Sequence, residues 1–550
     1  MQSLSKLKLR NINALEAFLL FTGIAVFAII CINSVYNIPS SDDYSLSLRF
    51  YSEFCETDGL DAKLNLLWAN IAEHRVVSYK LSTILSKDLF GEINFKWITH
   101  TGNIFYVLFA VLVFFHLKSI FITEHTVVSF VVLSLILVPT YVLNTHAISA
   151  IVQSPLMFLA FIVFMKSNEV NSFIGLITIS ILTFVCCSLF GNGLFVLPLG
   201  VFILFLRKEF RNSIAFSFIG LFIYYIFFLN HTGFGTNLSS ESFVFSSSMT
   251  QGLLIFIGSP FKTVLGYSHF ACSIIGAVIL ISWIYIAFKS IRTKILYPTL
   301  ALGCFGFLSG GVTILLRVSN NLQLNKAMID RYSFYAIFVL ISLITAAFYH
   351  YRHLIKSRHL VSLILPLFLI LYVTRLSHSQ NLLHLHSLNL RQSIINFHIG
   401  RNLNVKHYRQ SSKHLRSSVA NGDFNLASME DLLDYPRQID LDQKPQLSNK
   451  KFQSDKIGKN IMRIDFSYPQ LETLGLGWDS NDGIAIFEKF NVDNELILGE
   501  SINRHAIHSL QFGFPVDKQD DHYDYFFFEE DLNELFFYYK EEGVIYYSKL

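Results

Sequence analysis

Long apolar stretches recur through the first two thirds of this chain, and they restrict its fold more than any other feature. Several reach about 18 residues or more, and a helix of that length crosses the ~30 Å hydrocarbon core of a bilayer at ~1.5 Å per residue. The composition agrees, since 52% of the 550 residues are hydrophobic and 15% are charged, against roughly 25% charged in an average soluble domain. We therefore predict a mainly α fold, a polytopic transmembrane helix bundle in contact with the lipid bilayer.

Eleven apolar stretches are candidate spans. They are Ala14–Tyr36, Thr101–Leu117, Thr126–Leu143, Ile148–Met165, Ser172–Phe190, Leu194–Leu206, Ser213–Leu229, Ser268–Phe288, Ile295–Leu316, Tyr332–Tyr349 and Leu360–Thr374. Lys and Arg occupy alternate connections between them, for example Lys118, Lys166 and Arg207. Because positive charge favours the cytoplasmic side, this pattern predicts an N-terminus inside and a C-terminus outside.

Composition divides the chain into three regions. Residues 1–376 hold the spans and an outer loop, 37–98. Residues 377–442 begin with a His-, Lys- and Arg-rich stretch, predicted to be a helix on the membrane surface, and continue into an acidic connector. Residues 443–550 alternate apolar and polar positions between turn signals such as Asp479–Gly483. This alternation predicts a small extracytoplasmic α+β domain that contains strands.

Charge and cysteine content argue against several classes of function. The formal net charge is only +3 and no basic face or tail stands out, so we predict no nucleic-acid partner. Five of the six Cys lie inside apolar segments, which argues against a disulfide framework and against a cysteine metal site. No second acidic metal motif is evident. We expect no obligatory cofactor, and a divalent metal has no support.

The outer loop opens with an acidic pair, Asp42-Asp43, directly after the first span. One interpretation is structural: Ser40 is the N-cap of a helix and Asp43 its acidic partner three residues later, where a carboxylate also suits the helix dipole. The other interpretation is catalytic. A partly desolvated carboxylate beside a second one has a raised pKa, as a general base for a sugar hydroxyl requires.

A charged triplet, Glu73-His74-Arg75, follows an amphipathic run later in the same loop. The apolar residues of that run, such as Leu64 and Trp68, have helical spacing and predict a helix that rests on the membrane. The triplet is then either a polar helix end, with Arg75 extended to the interface, or a binding site. In the second interpretation Arg75 and His74 contact an anionic head group and Glu73 binds hydroxyls.

Two arginines, Arg317 and Arg331, flank a loop on the outer side, where the charge bias does not require them. They either anchor the interface, with Tyr332 in the aromatic belt, or bind a phosphate bidentately and stabilise it as a leaving group. Gly191-Asn192-Gly193 is first of all a turn signal, and Asn192 is a secondary candidate for contact with a ligand.

In this order the motifs resemble those of GT-C type polytopic glycosyltransferases, across roughly residues 10 to 380. The motifs are Asp42-Asp43, Glu73-His74-Arg75, Gly191-Asn192-Gly193-Leu194, Ile257-Gly258-Ser259-Pro260-Phe261 and the Arg317…Asp330-Arg331-Tyr332 block. The acidic pair is Asp-Asp where several branches of the family have Asp-Glu, and the region after residue 377 matches no acceptor-binding domain.

The resemblance implies an enzyme of the bacterial inner membrane, with its active face and C-terminal domain in the periplasm or otherwise outside the cytoplasm. Its donor is expected to be a polyprenyl-phosphate-linked sugar, its acceptor an envelope glycan or a lipid, and its transfer inverting. Asp42 or Asp43 would deprotonate the acceptor hydroxyl, and polyprenyl phosphate would depart, stabilised by Arg317 and Arg331. The rest of the implied substrate-binding set is Glu73, His74, Arg75, Asn192 and Tyr332.

Two other functions are consistent with the sequence. One is a carrier or flippase for a lipid-linked sugar, which needs polar groups along a path through the bilayer; the predicted spans offer few. The other is a non-catalytic envelope assembly protein, in which the C-terminal region is the working part.

Overall fold

The computed structural model describes residues 14–40, 42–69, 75–121, 125–229, 246–318, 324, 327–352, 358–398 and 408–425, together with strands between 451 and 549. The chain divides into two compact units. The first, called the helical unit, comprises Met1–Tyr36, Thr57–Ser82 and Lys96–Asn381, and the second unit comprises Asn37–Glu56, Thr83–Phe95 and Leu382–Leu550.

Helices account for most of the described residues. In chain order they are α1 (Ala14–Ser34), α2 (Phe50–Glu56), α3 (Leu60–Trp68), α4 (Val77–Phe90), α5 (Phe95–Ile120), α6 (His125–Ile136), α7 (Tyr141–Thr145), α8 (Ala147–Ser167), α9 (Phe173–Leu189), α10 (Val196–Leu206), α11 (Phe210–Tyr224), α12 (Ser247–Gly258), α13 (His269–Ser290), α14 (Tyr297–Arg317), α15 (Asp330–His350), α16 (Arg358–His398) and α17 (Tyr408–Ala420). Two π-helical turns, Tyr44–Arg49 and Tyr225–Leu229, precede α2 and follow α11.

Seven helices among the described residues are long and apolar enough to cross a membrane. They are Ala14–Ser34, Phe95–Ile120, Ala147–Ser167, Phe210–Phe227, His269–Ser290, Lys294–Leu315 and Tyr332–His350. Three further apolar helices, His125–Ile136, Phe173–Leu189 and Gly191–Leu206, are shorter. The fold is thus mainly helical, as predicted for a multi-pass membrane protein. The count of eleven spans, the N-in and C-out orientation and the bacterial inner membrane stay predictions.

α8 and α15 lie at the centre of the helical unit, and α1, α11 and α13 lie at its periphery. In the apolar stretches of α8 and α15, 72% of the residues are buried, against 28% in those of α1, α11 and α13. The peripheral helices expose large apolar side chains such as Phe218 and Phe270. A helix with apolar side chains on its outer surface is stable where that surface faces lipid.

α12 is a helix in a segment for which the sequence predicts no span. It packs against α13 with almost no space between the two backbones. A Cβ atom on Gly276 would lie 1.9 Å from the carbonyl oxygen of Leu254, and one on Gly258 would lie 2.0 Å from that of Cys272. Only glycine permits this approach, and the close crossing fixes the turn that begins at Ser259.

α16 differs from the predicted arrangement of a short last span followed by a separate surface helix. It runs as one helix through the predicted boundary at 376/377 to His398. The physical reason is the absence of a helix breaker, since no glycine or proline follows Pro366 before the end of α16.

In the second unit, α17 packs against the π-helical turn Tyr44–Arg49. The chain after α17 is fastened to the 83–95 segment: Lys87 Nζ donates to the Gly422 carbonyl at 2.6 Å and lies 3.5 Å from an Asp423 carboxylate oxygen. The Ile93 amide donates to the Asp423 carbonyl at 2.8 Å. The predicted acidic connector therefore begins as a structural part of this unit.

The strands also belong to the second unit. They are β1 (Lys451–Lys456), β2 (Ile461–Ser467), β3 (Thr473–Ser480), β4 (Gly483–Glu488), β5 (His522–Phe528), β6 (Leu535–Glu541) and β7 (Val544–Lys549). They pair antiparallel in two sheets, of order β1-β2-β5 and β4-β3-β6-β7. A separate α+β domain at 443–550 stays a prediction.

Candidate functional site

The acidic pair lies in the second unit, and its two carboxylates have different surroundings. Asp42 is exposed, whereas Asp43 is fully buried. The Asp43 carboxylate accepts the Ser40 backbone N–H at 2.9 Å and the Ser40 hydroxyl at 3.2 Å. The first of these bonds is the return contact of a capping box. Burial, and then the charge of Asp43, raises the pKa of the adjacent Tyr44 phenol, which therefore stays neutral.

Arg75 is buried in the helical unit, within an aromatic cage. Its guanidinium lies 5.0 Å from the ring centre of Trp68 and 4.9 Å from that of Phe227, which are cation–π distances. Its Nη2 donates to the Ile226 carbonyl at 3.4 Å. Burial lowers the pKa of the guanidinium. The side chain is thus enclosed by protein, which argues against its extension to the interface, one of the two interpretations of the triplet.

Three of the predicted substrate-binding residues gather at the first turns of α15. The Arg317 guanidinium lies 5.2 Å from the ring centre of Tyr332. Asn192 Nδ2 donates to the Tyr335 hydroxyl at 2.9 Å, one helical turn after Tyr332. Glu73, His74 and the side chain of Arg331 lie outside the described residues.

A small cavity in the helical unit is lined by basic residues that are not among the predicted site residues. Its volume is about 40 Å³, several times the roughly 10–15 Å³ that one water needs. Lys262, Arg375 and His378 line it, together with hydroxyl groups of Thr263 and Ser333 among others. No carboxylate is present among the described residues that line it. We call this space the basic cavity.

Backbone carbonyls hold two of the basic side chains at the basic cavity. Lys262 is buried, and its Nζ donates to the Met328 carbonyl at 2.6 Å. Arg375 Nη1 donates to the Leu135 carbonyl at 3.0 Å. The buried hydroxyl oxygen of Thr263 has no hydrogen-bond partner among the described residues. A buried hydroxyl normally has a partner, so a ligand in the cavity would satisfy it.

Among the described residues, four segments of the helical unit build the walls of the basic cavity. Lys262 lies in the turn after α12, Ser333 in the first turn of α15, and Arg375 in α16. The fourth wall is the loop before α7, which a pair of amides fixes. Asn144 Nδ2 donates to Asn103 Oδ1 at 2.9 Å and Asn103 Nδ2 donates to the Asn144 carbonyl at 3.0 Å.

This arrangement favours an anion. Fixed cations in a site shielded from water attract negative charge more strongly than exposed ones, and guanidinium and ammonium groups suit phosphate oxygens. The N-terminus of α15 adds a favourable dipole. One sequence signal could have located the site, because Lys262 directly follows the Ile257–Phe261 motif. Arg375 and His378 carry no comparable signal within α16.

Among the described residues, no group of three or more His, Cys, Asp or Glu side chains could hold a metal ion. No family model matches the chain, and no curated protein or solved structure matches it either. The resemblance to GT-C glycosyltransferases therefore rests on the sequence motifs alone.

Proposed function

We propose that this protein is a membrane glycosyltransferase that moves a sugar from a polyprenyl-phosphate donor to an envelope glycan or lipid on the outer side of the membrane. The observation that carries the proposal is the basic cavity, in which Lys262 and Arg375 are fixed at one anion-sized space. A lipid-phosphate donor supplies such an anion, and a multi-pass helical protein supplies the apolar surroundings that its chain needs.

The chemical role of the basic cavity follows from charge. When the bond between the anomeric carbon and the phosphate breaks, negative charge grows on the departing phosphate oxygen. Positive groups that are already in place stabilise this charge without reorganisation. In the proposal Lys262 and Arg375 stabilise the departing phosphate. The resemblance assigns this role to Arg317 and Arg331, so Lys262 and Arg375 act either beside them or in their place.

We propose Asp42, rather than Asp43, as the general base that deprotonates the acceptor hydroxyl with inversion at the anomeric carbon. A general base must reach the proton that it removes, and Asp42 is exposed. Asp43 already accepts two hydrogen bonds from Ser40. Because Asp43 is also buried, its carboxylate is not open to an acceptor hydroxyl as that of Asp42 is.

The test is mass spectrometry of envelope glycans from cells that lack the gene and carry variants at equal protein level. Lys262→Met and Asp42→Asn should reproduce the glycan defect of the deletion. Lys262→Arg, which keeps the charge, and Asp43→Asn, which can still accept from Ser40, are the matched controls. Glycans of wild-type composition in both Lys262→Met and Asp42→Asn would overturn the proposal.

A carrier for a lipid-linked sugar is the second candidate, and one cluster favours it. Glu16 is buried at the start of α1, where it accepts from Lys118 Nζ at 2.7 Å and lies 2.8 Å from His125 Nδ1. Ionisable groups inside a membrane protein often serve transport. Purified protein in vesicles that moves the lipid-linked sugar across the bilayer without transferring it to an acceptor would support this candidate.

A further inference from the structure

Tyr267 has a backbone conformation that a tyrosine rarely adopts. Its φ is +60°, and it follows Gly266 at +57°. Among the described residues only one other non-glycine residue, Lys208 at +66°, has a positive φ. The left-handed region favours glycine or asparagine because a Cβ atom is crowded there. Strain of this kind concentrates at functional positions, so the side chain of Tyr267 requires an explanation.

The side chain contacts two of the basic groups that line the basic cavity. The ammonium group of Lys262 lies 5.6 Å from the centre of the Tyr267 ring, a cation–π distance. The hydroxyl of Tyr267 hydrogen-bonds to the His378 ring at Nε2. Lys262 precedes Tyr267 in the same turn, but His378 is 111 residues away on α16. Tyr267 therefore joins two walls of the cavity.

Burial does not account for this conformation, because Tyr267 is 41% exposed. A neighbouring residue already supplies the turn, since Gly266 is itself left-handed. A glycine at position 267 could adopt the same backbone conformation. It would lack the ring that contacts Lys262 and the hydroxyl that contacts His378. Two basic groups that point at one space repel each other when both are charged, and a ring held between them fixes their separation.

We propose that Tyr267 is a positioning residue that sets the separation of Lys262 and His378 so that the basic cavity binds a phosphate group. The proposal rests on the proposed function for the source of that phosphate, a lipid-linked sugar. Positioning in advance of binding increases affinity because the ligand does not have to order the side chains itself.

The experiment measures the binding of inorganic phosphate to the purified full-length protein in detergent by titration calorimetry, beside the thermal unfolding temperature. Tyr267→Gly should weaken phosphate binding about tenfold, the loss of one well-aligned charged contact, without lowering the unfolding temperature, because glycine relieves the strain. Tyr267→Phe keeps the ring beside Lys262 and should show a smaller loss. Lys208→Gly is the matched control: it relieves the same strain elsewhere and should leave phosphate binding unchanged.

Three results would overturn the proposal: wild-type phosphate affinity in Tyr267→Gly, a lowered unfolding temperature in parallel with weaker binding, or no phosphate binding by the wild-type protein. Failure of the proposed function is a separate result. In that case phosphate binding depends on Tyr267 as described, while Lys262→Met and Asp42→Asn both leave the envelope glycans unchanged.

Discussion

The acidic pair of the second unit and the basic cavity of the helical unit are built in opposite ways. Asp43 is bound by Ser40, three residues away in the chain. Arg375 is bound by the carbonyl of Leu135, 240 residues away. A motif whose partners are close in sequence can be interpreted before any fold is known. A site whose walls come from four separate segments exists only after the helices have packed.

The two regions also differ in the sign of the charge that their side chains carry, and so in the groups that they can bind. Asp43 is a buried acid whose carboxylate contributes to local structure, whereas Asp42 beside it is exposed. Lys262 and Arg375 are bases at a cavity with room for an anion. The comparison predicts that substitutions in the cavity change ligand affinity, and that substitution of Asp43 changes local stability.

The largest expected effect comes from the packing that supports the cavity. Gly276→Ala should destabilise the helical unit by about 3 kcal/mol or more and abolish phosphate binding, because the new methyl group meets the backbone of α12, which cannot move away as a side chain could. Thermal unfolding and phosphate titration in detergent measure both. Gly175→Ala is the control, since its nearest contact is 3.4 Å. A stable Gly276→Ala protein that binds phosphate normally would contradict the described helix crossing.

Removal of one cavity charge should have the next largest effect. Arg375→Met should weaken phosphate binding about tenfold to a hundredfold, the equivalent of about 1.5–3 kcal/mol for a hydrogen bond to a charged group. Arg211→Met removes an exposed arginine and should not change the affinity. Equal affinity in the two variants would mean that the cavity is not the anion site.

Loss of the Asp43 contacts should have a moderate effect on local stability. Asp43→Ala should reduce the stability of the π-helical turn 44–49 by about 1 kcal/mol, as loss of a cap does. Faster amide hydrogen exchange in that turn is the measurement. Asp42→Ala should leave the exchange unchanged because Asp42 is exposed. If both variants exchange alike, the structural interpretation of Asp43 fails.

The smallest expected effect concerns pH and the second unit. Burial raises the pKa of the Glu92 carboxyl above its ordinary 4.5, although the Asn425 backbone and Lys87 oppose this. A raised folded-state pKa favours the protonated acid, so this contribution to stability is present below pH 4.5 and is lost as pH rises through the folded-state pKa.

Glu92→Gln should therefore raise the free energy of unfolding by about a few tenths of a kcal/mol at pH 7 and not at pH 4, since the group is partly solvated. The measurement is the unfolding temperature at each pH, which should be slightly higher for the variant only at pH 7. Glu56→Gln is the control, because glutamine can still accept from Ser52. A stabilisation that is the same at both pH values would indicate that charge is not the cause.

Prediction from the sequence succeeded where the interaction is local. The ranges of Ala147–Ser167 and His269–Ser290 nearly coincide with predicted spans, because an apolar run of sufficient length is a property of the chain itself. The Ser40–Asp43 contact is likewise local, since only three residues separate its partners. The sequence therefore predicts it as one of the two interpretations of the acidic pair. The sequence predicts no span at α12, because its apolar run is short. α12 packs against α13, α14 and α15, and the paired glycines Gly258 and Gly276 become informative only once α12 and α13 cross.

The sequence by itself determined a mainly helical membrane protein, since hydrophobic run length and cap spacing act within one segment. Only the tertiary structure decided where basic groups meet. Arg375 and His378 share α16 at a spacing of three residues, but Lys262 lies in the turn after α12 with no periodic or motif relation to them, and packing brings all three to one cavity. The strain at Tyr267 is likewise a tertiary effect, because its hydroxyl reaches a residue on another helix. Contacts between distant segments produce no regular residue spacing, so they cannot be predicted from the sequence alone.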